Sequence, residues 1–148
     1  MLVEPAIAAA LLLKCIEFGS ITPTSEFTAS VPPQGIQVDM KKPVYKARTI
    51  GGTIYIFSGA PGARSCGLAV YGGDVDSYRR STTRYITTAK WGYTRFGIAK
   101  LAEDGVSIYD RFRRTDSDSG AEVVLITKSS SRHSPPSFIA WGPQVPAR

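Results

Sequence analysis

A chain of 148 residues that is 43% hydrophobic is the size of one ordinary domain and can bury one core. Its 14 Gly and 10 Pro, spread among Val, Ile, Thr and Tyr, argue against a helical bundle and for short strands joined by tight turns. The formal net charge of +6 points to anionic partners. Cys15 and Cys66, far apart in sequence, give no readable disulfide framework and are expected as separate buried thiols, which favours a reducing intracellular compartment or a virion.

Residues 4–18 are expected as one helix. Pro5 suits a first turn, Ala6 to Leu13 are good helix formers, and Gly19 can close the end in a left-handed cap. The run is broken by Glu4 and Pro5 and ends at Lys14, short of the roughly 20 apolar residues that a membrane span needs. No basic residue precedes the apolar run, so it does not read as a signal peptide either. Because apolar residues nearly encircle this helix, it should pack on the domain's own sheet or, second, on a neighbouring subunit.

From Ser20 to Pro43 four prolines predict irregular backbone, with weak edge strands at Phe27 to Val31 and Gly35 to Met40. Thr53-Ile54-Tyr55-Ile56-Phe57, bounded by Gly51-Gly52 and Gly59, reads as a strand buried on both faces, and Leu68 to Tyr71 as a shorter one. The intervening Gly59 to Ser65 lacks the Gly-Lys-Ser/Thr ending of a phosphate loop and is expected as an ordinary turn. Thr94 to Leu101 and Val106 to Arg113 flank Glu103-Asp104-Gly105, a hairpin signal whose register would set Lys100 opposite Tyr109 and Leu101 opposite Ile108. After a polar turn at Thr115 to Gly120, Ala121 to Lys128 adds a third strand. Residues 129–148, rich in Ser and Pro, are expected as a mobile tail carrying Phe138, Ile139 and Trp141 as a short apolar anchor for a partner or for the domain itself.

The expected organisation is therefore an N-terminal helix (1–19), a β-rich domain (20–128) and a tail (129–148). The fold class is mainly β, an antiparallel sheet or two-layer β-sandwich with one N-terminal α-helix and a flexible C-terminal tail.

Nine of the 18 basic residues fall between Arg79 and Arg114, against only Glu103, Asp104 and Asp110, so the surplus there equals the net charge of the whole chain. Tyr85, Trp91, Tyr93, Phe96, Tyr109 and Phe112 are interleaved with them. Strand alternation would place Phe96, Lys100, Tyr109, Arg111 and Arg113 on one open face, with Arg79, Arg80 and Arg84 extending it. Rings and guanidinium groups on a sheet face can stack on bases and meet phosphates. The same residues could also lie along one another as an ordinary solvated face.

Nothing in the chain predicts catalysis. His133 is the lone histidine and sits in the Ser-rich segment, two cysteines and that histidine lack a metal-ligand spacing, and Asp74/Asp76 and Asp116/Asp118 read as turn acids. No cofactor is expected.

Pro43-Val44-Tyr45, Gly52 to Ala60, Gly92-Tyr93-Thr94-Arg95 and Ile126-Thr127-Lys128 resemble the C-terminal segment of calcineurin-like metallophosphoesterases. The Asp, Asn and His ligand set of those enzymes is not present, so this resemblance implies a non-catalytic C-terminal portion or β layer. Ser20-Ile21-Thr22-Pro23, Val31-Pro32-Pro33-Gln34-Gly35 and Tyr109-Asp110-Arg111-Phe112-Arg113 resemble the internal β-sandwich domain of coronavirus-type membrane proteins, which implies a role in virion assembly.

The functional expectation is a non-enzymatic assembly or binding domain, of the kind found in small viral capsid or matrix-like proteins, that self-associates and presents its basic aromatic face to RNA or another polyanion. The alternatives are the phosphoesterase remnant and an accessory subunit of a large complex.

Overall fold

A computed structural model describes residues 2–97, 100–101, 107–114 and 121–148, with Lys100 and Leu101 described by backbone alone. The first helix, α1, runs Pro5–Phe18 and ends where Gly19, at φ 69°, donates its N–H to the Cys15 carbonyl. Four strands follow as an antiparallel meander: β1 (Thr28–Ser30), β2 (Val44–Thr49), β3 (Gly52–Ser58) and β4 (Ser65–Gly72). A second helix, α2 (Val75–Ile86), leads to β5 (Tyr93–Arg95), β6 (Lys100–Leu101), β7 (Ser107–Arg114), β8 (Glu122–Lys128) and β9 (Ser137–Pro143). The described strands form one nine-stranded sheet, ordered β1-β2-β3-β4-β9-β8-β7-β5 with β6 also on β7, and every pairing is antiparallel. The mainly β fold with an N-terminal helix is as the sequence predicts, in its single-sheet form.

Both helices lie on one face. Leu12, Leu13 and Ile16 of α1 and Ile86 of α2 pack in one cluster with Ile54, Leu68, Val70, Phe112, Val123, Leu125 and Phe138 from the strands. At ~1.5–3 kcal/mol for each large apolar side chain removed from water, this seam is what holds the layers together. On the opposite face Ile36 and Val38, from the connector, cover Val44, Phe57 and Ala69, while the β7–β8–β9 end keeps Tyr109 and Trp141 exposed. The connector stretch at 35–40, expected as a weak strand, is this irregular cover instead.

Three further expectations are corrected. Cys15 and Cys66 are joined in a disulfide, with Cα atoms 6.0 Å apart, because α1 crosses directly over β4. The inference of a reducing compartment thereby loses its basis.

The segment expected as a mobile tail contains β9, hydrogen-bonded between β4 and β8 in the middle of the sheet. Phe138 and Ala140 point into the core and Ile139 and Trp141 to the other face, an alternation that fits a strand with its prolines held to the ends. Beyond it Val145 N–H bonds the Ile16 carbonyl and Arg148 N–H the Lys90 carbonyl, so the terminus is fastened to the helical layer.

Arg79, Arg80 and Arg84, expected to extend a sheet face, lie on α2. Asp74 caps that helix by accepting from the Ser77 backbone N–H at 3.4 Å and also from the Ser77 hydroxyl at 2.7 Å, and Val75, Tyr78, Thr82 and Ile86 supply its buried stripe.

The hairpin turn at 102–106 and the polar turn at 115–120 lie outside the described residues. Where the hairpin is described, Lys100 opposes Tyr109 and Leu101 opposes Ile108, as the turn position requires. Farther along, Arg95 opposes Phe112 and Thr94 opposes Arg113, so one strand carries two more residues than its partner between these contacts. Gly97, at φ 75°, falls within that surplus. An even offset leaves side chains on the faces that simple alternation assigns.

Candidate polyanion-binding site

The inward face of β7 carries Asp110, Phe112 and Arg114, all buried. Asp110 is completely covered and is met from two sides. Arg79, one turn into α2, donates Nε to one carboxylate oxygen at 2.7 Å and Nη2 to the other at 3.0 Å. Arg95, on the adjoining strand β5, donates Nη1 to the same carboxylate, and its guanidinium also lies 4.9 Å from the centre of the Phe112 ring. Burial pushes the Asp110 carboxyl up, but the hydrogen bonds from Arg79 and Arg95 outweigh it and hold the group below the ordinary carboxylate range. The same contact raises Arg79.

A groove of about 570 Å³ opens above this triad, lined by Asp76, Arg79, Arg80, Thr83, Arg84 and Arg95. Among the described residues four guanidinium groups face two carboxylates, Asp76 in the lining and Asp110 beneath it, a surplus of two positive charges. Arg80 donates to the Ser77 hydroxyl at 3.1 Å, and Arg84 has no carboxylate partner among the described residues. Guanidinium forks held by a buried carboxylate are pre-oriented for a second oxyanion, because their remaining N–H donors point outward.

The other basic candidates stand on the opposite face. Phe96, Tyr109, Arg111 and Arg113 share it, with the guanidinium centres of Arg111 and Arg113 lying 5.0 and 3.9 Å from the centre of the Phe96 ring. The expected open cationic layer is corrected here, because both arginines converge on Glu122. Arg111 Nη2 and Arg113 Nη2 reach Glu122 Oε2 at 3.0 and 3.3 Å. Glu122 is directly opposite Arg113 in the β7–β8 register, on the same face, which makes the pairing a consequence of strand alignment. Arg111, and more weakly Arg113, hold the Glu122 carboxyl below its ordinary range. Among the described residues two cations share one anion, so this cluster keeps a single net positive charge.

Lys100 is placed opposite Tyr109 by its backbone, and its side chain lies outside the described residues. Of the expected partner contacts, Phe138 is corrected to a core residue. Ile139 is half-buried against the second apolar cluster, and Trp141 is exposed beside Val124. Sequence reasoning missed Arg95 and Asp110 as site residues. Alternation already sets both of them opposite to Phe96, but without α2 there was nothing on that side for them to meet.

Among the described residues no group of three or more His, Cys, Asp or Glu could hold a metal ion, and no helix is long and apolar enough to cross a membrane. Comparison with family models, curated proteins and solved structures gives no match to this chain, so neither motif resemblance is accompanied by one.

Proposed function

We propose that this chain is a non-enzymatic binding and assembly domain that holds RNA, or another phosphate-bearing polyanion, in the groove between α2 and β5. The observation that supports this reading is the convergence of Arg79, Arg80, Arg84 and Arg95 from two separate elements on one concave surface. Arginine suits the task because its planar fork matches phosphate oxygens two at a time. Among the described residues the groove lining holds no aromatic ring and no side-chain amide, so these contacts position a phosphate backbone without reading bases.

Titration of a labelled RNA oligonucleotide across a salt series tests the proposal. Affinity falls steeply as salt rises, because each neutralised phosphate releases counterions. Arg80→Glu/Arg84→Glu removes binding and leaves the fold intact, since both side chains are on the groove side of α2. Binding by that variant at wild-type strength rejects the groove.

The exposed Tyr109 and Trp141 favour a second element of the reading, association with another protein or with further copies of the chain, since such rings are enriched at protein contacts. In an accessory subunit the groove would meet acidic protein side chains and never nucleic acid. Gel filtration with and without RNA separates the two.

A further inference from the structure

We infer that the polyanion is single-stranded RNA that passes around the β5 edge of the sheet, with phosphates in the arginine groove and bases on the open face; this rests on the polyanion reading above. Arg95 and Phe96 are consecutive residues, yet they serve opposite faces. Arg95 reaches inward to buried Asp110 and over Phe112, while Phe96 lies outward beneath the guanidinium groups of Arg111 and Arg113. Among the described strands β5 ends the sheet path and is three residues long. Thr94, Arg95 and Phe96 are all exposed along it. A basic and aromatic track therefore runs from Arg80 and Arg84, across Arg95, to Phe96, Arg113 and Arg111, and on to Tyr109, which is 39% exposed.

The two halves of the track differ in kind. Among the described residues the groove has a surplus of two charges and no ring in its lining, so it supplies electrostatic attraction. On the open face Glu122 already engages both arginines, which leaves flat surfaces, ring and guanidinium, as the main thing offered. A ligand that uses both halves needs closely spaced negative charges, flat groups that stack, and a backbone flexible enough to turn around one strand. Single-stranded RNA has all three. A rigid duplex keeps its bases stacked internally and cannot bend around a single strand, and polyphosphate has charge without rings.

Fluorescence anisotropy at low salt tests this with a twelve-nucleotide single strand, a duplex of equal length and inorganic polyphosphate as probes. The single strand should bind at least about tenfold more tightly than the duplex. Phe96→Ala/Tyr109→Ala should weaken the single strand by about tenfold, the scale of one or two lost stacking contacts, and leave polyphosphate unchanged. Phe96→Leu/Tyr109→Leu, which keeps apolar bulk, should show the same split, and it replaces the alanine pair if circular dichroism finds that pair unfolded. Equal affinity for duplex and single strand, or an unchanged single-strand affinity in both aromatic variants, overturns the edge path. If Arg80→Glu/Arg84→Glu still abolishes binding in that case, the groove survives without it. If that variant binds every probe as the wild type does, the polyanion reading itself fails, and the inference with it.

Discussion

Asp110 and Arg79 join the sheet to its helical layer by a two-point hydrogen bond, the carboxylate fully buried in β7 and the guanidinium reaching it from α2 at 2.7 and 3.0 Å. Burial alone would make this carboxylate costly, so its place depends on Arg79 and Arg95 together. Asp110→Ala should lower stability by about 2–3 kcal/mol, somewhat less than for a fully buried pair because both arginines reach water. Urea unfolding followed by circular dichroism measures the loss. A variant as stable as the wild type would show that α2 is held by its apolar stripe alone.

The same group sets an acid limit. Its carboxyl is depressed in the folded chain, so the stabilisation it gives is present in full above the unfolded value of about 4 and is lost as pH falls below it, through the lower folded value. Glu122, also depressed, contributes in the same direction. The stability gap between the wild type and Asp110→Ala should therefore be constant from neutral pH down to about 4 and narrow below it. A gap that stays constant on further acidification would mean that the Asp110 carboxyl is not depressed in the fold.

Glu122 offers a gain-of-function test. Replacing it with Gln frees Arg111 and Arg113 while keeping the side chain's shape, so polyanion affinity at low salt should rise by up to about fivefold, the worth of a partly exposed ion pair. Stability should fall by less than about 1 kcal/mol. Reduced affinity in this variant would place Glu122 among the groups that hold the ligand surface in shape.

What the sequence showed clearly was what depends on near neighbours. Pro5 and Gly19 bracket α1, and the run from Thr53 to Phe57 is central to β3. The Asp104-Gly105 pair in the sequence was enough to predict Tyr109 opposite Lys100, the pairing found. Faces survived even the two-residue offset near Gly97, because parity, not register, decides them. Long-range partnership was not legible. Asp110 looks like one more acid in a basic run until α2 brings Arg79 over it, and α2 itself has few apolar residues, with Thr82 completing the buried stripe. Glu122 is adjacent to Arg113 only in space. The Ser and Pro around 129–136 hid β9, although Phe138-Ile139-Ala140-Trp141 does alternate between small or core-facing and outward positions.

The Cys15–Cys66 link ties α1 to the central strand β4 across 51 residues of chain. Cys15→Ser/Cys66→Ser should cost about 2–4 kcal/mol, mostly by restoring freedom to the unfolded chain. Dithiothreitol should shift the wild-type urea midpoint toward that of the variant and leave the variant itself unmoved. A wild-type midpoint insensitive to reductant would show that the thiols are unpaired in solution.

Phe138 and Tyr109 separate a structural role from a surface one. Phe138 is fully buried on β9, between the halves of the sheet, and packs in the cluster that includes Leu68 and Leu125; Tyr109 stands on the open face of β7. Phe138→Ala should cost about 3–5 kcal/mol through lost burial and the cavity it leaves, whereas Tyr109→Ala should cost about 1 kcal/mol or less. Thermal or urea unfolding of the two variants side by side makes the comparison. If Phe138→Ala proved as mild as Tyr109→Ala, the C-terminal segment would not be a central strand in solution, and the two meanders would lack the β4–β9 seam that unites them.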